Sequence, residues 1–401
     1  MAWRTSFTSD LSPMPPTTLG SKTLFDALDY RAYLNHAAVS PPSAPVRSAV
    51  STWLDLYAQR GLGAVLPAME QRSRLKQGLS RLLGCEARDL AMTSSTTRGL
   101  MEIASGIQLR TGDGILCFTG EFPTNITPWQ TAAAAAGADV HLLDQESLDD
   151  DDLLASVSRA LQEGGVRLIA VSAVQFSTGR VMPLRQLAEL AHAHGALLCV
   201  DAIQALGILP FDVREIGADF VCGGAHKWLM GIEGIGFVYA SPTAAAALRP
   251  LTSGWLSHED PIGFLFEGPG LLRYDRPLRQ GIDVLEAHSM SVLGCVALEA
   301  SLNLILDLGV SEIHTHVQAY NDALEEGLLQ RGFRSLRDRQ RPSGILSLHP
   351  PSGDAASDWI RHLDAHGIAV SGPDGKLRIS PHWPNALDEV PFVLDAVAAF
   401  S

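Results

Sequence analysis

Four groups of side chains in this sequence could do chemistry together. Asp201 ends the apolar run ALLCV, and Gln204 follows three residues later. His226 and Lys227 follow the run DFVCGG. Ser172, Gln175 and Ser177 cluster at the end of VRLIAVSAV. Thr93, Ser94, Ser95, Thr96 and Thr97 form a hydroxyl-rich stretch before an apolar helix pattern starting near Gly99. Free N–H groups and threonine hydroxyls at a helix start suit a phosphate. A lysine amine can condense with an aldehyde. A carboxylate can keep a pyridine nitrogen protonated, so that the ring draws electrons from a bound substrate. Phe122, in GEFPTN, offers a flat wall for a ring. Together these demands describe a site for pyridoxal phosphate. Each residue also has a plainer reading. Asp201, Thr96 and Thr97 could be helix caps, and Arg378 could pair with Asp388 or Glu389.

Such groups converge only if strands deliver them to one edge. From Gly112 onward the pattern alternates strand and helix. Strands are expected at Gly114–Phe118, Val140–Leu143, Val166–Val174, Ala196–Val200, Asp219–Cys222 and Phe237–Ala240. Helices are expected at Asn125–Ala136, Asp149–Gly164 and Pro183–His194. Near-continuous apolar strands joined by helical crossovers predict an α/β domain with a mainly parallel sheet. Ligands of such sheets bind beyond the carboxyl ends of the strands. One long helix is expected over Val284–Leu308 and another over Ser311–Arg331. Strands at Ile345–His349 and Leu377–Ser380, with helices at Trp359–His366 and Leu387–Phe400, predict a small α+β C-terminal domain. The expected division is a flexible tail over 1–20, a large cofactor-binding domain over 21–283 and a small domain over 284–401.

Composition narrows the classes. The 401 residues are 46% hydrophobic and 18% charged, enough for a large core and too little charge for a disordered chain. A net charge of −14 opposes generic nucleic-acid binding. No apolar run approaches membrane-spanning length, and the polar, Pro-rich start lacks the apolar core of a signal peptide. Five scattered cysteines without a Cys-x-x-Cys pair predict neither a disulfide framework nor a zinc site. The expectation is a cytoplasmic globular protein with no metal, no nucleic-acid partner and no membrane partner.

Six segments occur in an order that makes the chain resemble a known family. They are TSSTTRG, GEFPTNITPW, VQFSTGRVMPL, VDAIQALG, GGAHKWLMGIEGIGF and LRISPH, within a stretch from YLNHAAVSPP at Tyr33 to LRISPHWPN at Asn385. The resemblance is to the class V aminotransferases, pyridoxal-phosphate enzymes, in the cysteine desulfurase and isopenicillin N epimerase-like branch. It implies fold type I, with a seven-stranded large domain, a small C-terminal domain and a homodimer. It implies that Lys227 carries the cofactor as a Schiff base and shuttles protons. It implies that Asp201 partners the pyridinium nitrogen and Gln204 the ring hydroxyl. Thr96, Thr97 and His226 match phosphate contacts, and Phe122 the ring-stacking position. Arg378 matches the clamp on a substrate α-carboxylate, while Asn35, His36 and Gln175 border the substrate.

Three departures from the family pattern stand out. Gly224 replaces a serine that often touches the phosphate, and Ile282 replaces a threonine that often reaches the neighbouring subunit's phosphate. Arg98 or Arg279 are candidates to compensate. The segment GIAVSGPDGK, before Arg378, lacks the cysteine that desulfurases carry there. The expected activity is therefore a C–S β-elimination lyase or an aminotransferase acting on a small amino acid. The alternatives are a cysteine desulfurase, an amino-acid epimerase, or a non-catalytic cofactor-binding sensor or scaffold.

Overall fold

The computed structural model describes residues 17–249, 252–266 and 268–400, with only the backbone of Phe266. Most of the tail expected over 1–20 lies outside these residues. Among the described residues twelve strands follow in order. They are β1 (Ala32–Tyr33), β2 (Leu90–Thr93), β3 (Gly114–Phe118), β4 (Asp139–Leu143), β5 (Val166–Ser172), β6 (Leu197–Asp201), β7 (Phe220–Gly224), β8 (Gly236–Ala240), β9 (Arg334–Ser335), β10 (Leu346–His349), β11 (Ile368–Ala369) and β12 (Leu377–Ile379). Seven of them form one sheet in the order β2-β8-β7-β6-β5-β3-β4. Only β8 runs against its neighbours, β7 and β2. The strands β2, β3, β5, β6 and β7 thus end at the same edge, and in register Ser172 lies beside Asp201 and Asp201 beside Cys222.

Alternation along the strands builds a three-layer core. Ile169, Val171, Leu198 and Val200 face one side, with Leu153 and Leu187 from helices α5 and α6. Leu168, Ala170 and Cys199 face the other, with Leu100, Ile103 and Trp129 from α3 and α4. The helices in chain order are α1 (Ala44–Arg60), α2 (Val65–Leu83), α3 (Thr96–Gly106), α4 (Thr127–Ala136), α5 (Asp150–Gln162) and α6 (Leu184–Ala193). A third cluster, around Tyr320, Leu346, Trp359 and Ile379, belongs to the C-terminal region. There β12, β10 and β9 form an antiparallel sheet. The N-terminal β1 pairs in parallel with β11, and Asn35 bridges to Ser380.

The long helix expected from Val284 begins later. Residues Ile282–Leu285 make one 3-10 turn, and the helix runs Val292–Leu308. Ser291 sets that start by accepting the N–H of Gly294 as an N-cap. The helix meets its successor, Val310–Leu329, at a bend of 78°, and among the described residues no single helix is long and apolar enough to cross a membrane.

Candidate active site

The site grows from the carboxyl edge of the sheet. Helix α3 opens there because Ser95 caps it, accepting the N–H of Arg98 at 3.1 Å. The N–H groups of Thr96 and Thr97 then have no helical acceptor. Glycine at 99 lets the helix lie close on the sheet: a Cβ there would come within 2.7 Å of Val238 and 3.0 Å of the Cys222 sulfur. Thr96 is buried, and its Oγ1 has no hydrogen-bond partner among the described residues. Thr97 is exposed and bonds Thr124 Oγ1 at 2.5 Å.

The same geometry explains the departure at Gly224. A Cβ at that position would sit 2.8 Å from Thr96 Oγ1 and 3.1 Å from Ile203 Cδ1. A serine there would require Thr96 or Ile203 to shift. Ile282 is a core residue packed under the sheet. Arg98 is paired with Glu102. Arg279 bonds Asp283 at 2.9 Å and the backbone carbonyl of Leu256. Both arginines are committed elsewhere within this chain.

Asp201 is buried at the end of β6, where its Oδ1 accepts the Ile203 N–H at 3.0 Å. Burial pushes its carboxyl up to about 6, against the pull of the Lys227 charge. Burial pushes the Lys227 amine down to about 8; Asp201 opposes this and the Arg378 charge adds to it. Lys227 Nζ lies 5.7 Å from the centre of the Phe122 ring. That ring is half exposed and stands edge to face with Phe176, centroids 5.3 Å apart. Burial and the neighbouring Lys227 charge lower His226.

Arg378 comes from β12 and is 5% exposed. Its Nε donates to Ser371 Oγ at 3.0 Å and its Nη1 to the carbonyl of Phe176 at 2.8 Å. It does not pair with Asp388 or Glu389; Glu389 instead meets Lys22 at 2.6 Å. No carboxylate among the described residues contributes to its charge state, and burial alone lowers its pKa to about 10. A buried guanidinium without an anionic partner is costly unless a ligand supplies one.

The N-terminal segment closes the site. Ser40 N–H donates to the carbonyl of His226, and Ser40 Oγ donates to the carbonyl of Lys227. His36 is buried and bonds Ser40 Oγ at 2.8 Å. Asn35 Oδ1 is buried without a partner. Gln204 Nε2 donates to the carbonyl of Ala37 at 3.1 Å. The segment from Asn35 to Ser40 is thereby tied to the backbone of His226 and Lys227 and to Gln204.

One acid was not singled out. Glu121 is buried and accepts from the Ser172 N–H at 2.8 Å, from Ser172 Oγ, from Asn125 at 3.2 Å and from Gln175 at 3.1 Å. Burial raises its carboxyl to about 7, with the Asp201 charge adding to the rise. Glu121 thereby ties Gln175 to the turn that carries Phe122. It stands just past the end of β3, so the strand-end rule that selected Asp201 selects it too. A cleft of about 610 Å³ opens beside Gln175, between Arg180 and Lys376.

No thiol is placed for attack in this set. Cys117, Cys199, Cys222 and Cys295 are buried, and Cys85 is half-buried in the turn after α2. Burial pushes Cys85 and Cys295 up to about 12.

Comparison with known proteins agrees with this architecture. The family profile described as Aminotransferase class-V matches residues 32–380. A probable cysteine desulfurase of Methanothermobacter thermautotrophicus is 27% identical over 346 residues, 84% of this chain and 80% of its own. Isopenicillin N epimerase of Streptomyces clavuligerus is 26% identical over 346 residues, 84% of this chain and 85% of its own. Among solved structures, the cystine C–S lyase C-DES, in complex with its product cysteine persulfide, superposes with a TM-score of 0.83 at 20% identity. The match covers 92% of this chain and 97% of that one. The chain belongs to the class V aminotransferase family of pyridoxal-phosphate-dependent enzymes.

Proposed function

We propose that this chain binds pyridoxal phosphate and acts on a small α-amino acid, by C–S β-elimination or transamination. The observation that carries the reading is Arg378: a buried cation with no carboxylate of its own among the described residues, beside a partly buried amine and a buried acid. The residues present fit the cofactor. Thr96 Oγ1 is a buried hydroxyl without a partner, at a helix start with free N–H groups.

When bound, the cofactor supplies an aldehyde for amines to condense with and a ring that stabilises negative charge at the substrate α-carbon. Thr96, Thr97 and His226 would hold its phosphate. Asp201 would hold the ring nitrogen, and a cationic partner there returns its carboxyl to the ionised form. Gln204 would face the ring hydroxyl and Phe122 the ring itself. Arg378 orients the substrate carboxylate, with Asn35, His36 and Gln175 along the substrate's border. Lys227 takes the α-proton at Nζ. At a pKa of about 8, about a tenth of this amine is already neutral at pH 7, against roughly one in a few thousand for an ordinary lysine. It can therefore accept a proton and return it.

Elimination is favoured over sulfur transfer by the loop before Arg378. Its one hydroxyl of nucleophile type, Ser371 Oγ, accepts from the clamp arginine instead. A buried thiol stays protonated and unreactive. We propose further that residues 21–283 form the cofactor domain and 284–401 the small domain, and that the chain works as a homodimer in the cytoplasm.

The test is a panel of amino acids offered to the cofactor-loaded protein, scored for pyruvate, sulfide, alanine and keto acids. L-cysteine or cystine giving pyruvate with sulfur release, or a keto acid formed from an amino acid, supports the reading. Alanine formed in step with a protein persulfide returns the chain to the desulfurases. No product from any amino acid overturns the reading.

A further inference from the structure

Gln204 is held from two sides. Trp228 Nε1 donates to its Oε1 at 2.7 Å, and its own Nε2 donates to the carbonyl of Ala37 at 3.1 Å. An indole nitrogen can only donate and a backbone carbonyl can only accept. The amide therefore cannot flip without breaking both bonds. Its oxygen is oriented on Trp228, and the hydrogen it has free to offer a ligand is that of its second N–H.

Trp228 is held in turn. It is fully buried, and its carbonyl is bonded to His382 Nε2 at 2.8 Å. The Trp383 N–H donates to His382 Nδ1 at 2.7 Å, so Nδ1 carries no proton and Nε2 is the donor. Burial, which lowers His382 to about 4, favours this neutral form. Glycine at 344 makes room for the indole, since a Cβ there would come within 2.6 Å of its Cη2 atom. The chain of bonds runs from the segment after β12, through the residue following Lys227, to Gln204.

We propose that Trp228 is a positioning residue, which locks Gln204 as a pure hydrogen-bond donor toward the bound cofactor and is itself anchored by His382. The proposal rests on the reading that Gln204 faces the ring hydroxyl of pyridoxal phosphate. A donor-only amide favours the ionised hydroxyl, because a hydrogen bond to a charged form lowers its pKa. Without the indole N–H only the bond to Ala37 opposes turning the amide oxygen toward the same atom, which disfavours that form.

The experiment uses the cofactor-loaded protein and reads the pH midpoint of its visible absorption band and the cofactor Kd. Trp228→Phe keeps an aromatic ring and removes the N–H. The midpoint should rise by about one unit, and the Kd should weaken roughly tenfold. Gln204→Leu should shift both readouts the same way. The double variant should add nothing further, because the indole acts only through the amide. A merely structural tryptophan would lower the melting temperature and leave the midpoint in place, and that result overturns the proposal. So does an additive double variant. Should Trp228→Phe fail to fold, His382→Leu and His382→Gln probe the same chain one bond away. The glutamine retains a donor near the Nε2 position and should restore the midpoint that leucine shifts; equal midpoints in the two overturn the proposal. The unsubstituted protein separates the two levels. If it develops no absorption band with pyridoxal phosphate beyond that of the free cofactor, the cofactor reading itself fails. If the band forms there and its midpoint is unmoved in Trp228→Phe, only the role of Trp228 fails.

Discussion

Replacing Arg378 by methionine should leave the apoprotein nearly as stable as before while abolishing its grip on carboxylates. A methionine fills much of the arginine's volume without its charge. Burial alone lowers this guanidinium from its ordinary value to about 10, which corresponds to about 3 kcal/mol of desolvation at about 1.4 kcal/mol per unit. The side chain is 5% exposed, so solvent screens little of that cost. Against it stand the bonds to Ser371 Oγ and the Phe176 carbonyl, worth roughly 1.5–3 kcal/mol each when the donor is charged. The two terms nearly cancel, and the net change should be within about 2 kcal/mol. Removing one member of a buried ion pair costs more, roughly 3–5 kcal/mol, because a carboxylate is left behind. No such carboxylate exists here among the described residues. Substrate binding should suffer far more, since two charge-assisted bonds to a carboxylate amount to at least about 3 kcal/mol, or about a hundredfold in affinity. Denaturant unfolding of the apoprotein gives the first quantity. Titration of the loaded protein with L-alanine gives the second. Stability lower by 4 kcal/mol or more with unchanged alanine affinity would show that Arg378 is a structural bolt and refute the reasoning.

Four further expectations follow from the same geometry. Lys227→Ala should lose both the visible band of the loaded protein and exchange of the substrate α-proton, read by NMR in deuterated solvent; retention of both contradicts its assignment. Asp201→Asn should keep the cofactor bound but slow α-proton exchange by about a hundredfold or more, the scale set by losing roughly 3 kcal/mol of charge stabilisation; an unchanged exchange rate would make Asp201 only a cap. Replacing all five cysteines by alanine or serine should leave turnover largely intact in a protein that still folds; loss of turnover with normal folding would point to a thiol step. His382 is lowered from 6.5 to about 4, so its contribution to stability is complete above pH 6.5 and disappears as pH falls toward 4, about 3 kcal/mol in all. His382→Gln should flatten the acid side of the stability–pH curve in that window, and superimposable curves would count against it.

Much of the large domain was legible because its strands are buried on both faces. GILCF was expected at Gly114–Phe118 and spans those residues, and VRLIAVSAV overran β5 by only two residues. The positions of Asp201, His226 and Lys227 at or just past strand ends were legible for the same reason, since a strand end fixes where a side chain emerges. What escaped was whatever depends on contacts distant in sequence. Glu121 gained meaning only when β5 brought Ser172 and Gln175 against it. The bond from Trp228 to Gln204 spans 24 residues and crosses from one strand-end loop to another, leaving no periodic trace. The late start of the helix at Val292 turned on a single capping serine. Gly224 looked like a lost contact until Thr96 was seen to occupy the space.

The pairing of β1 with β11 joins residues 32–33 to residues 368–369. During synthesis, the segment that carries Asn35, His36 and Ser40 therefore leaves the ribosome more than three hundred residues ahead of the strand it needs. Closing a loop of that length is slow compared with local helix formation. The Lys227 loop leans on Ser40, and Arg378 arrives only with β12. A nascent chain can thus build its parallel sheet and still lack a reactive centre. Lys227, Asp201 and Arg378 come together only at the final docking step. A truncated chain ending before residue 368 would carry Lys227 without the clamp and without the strand that seats β1.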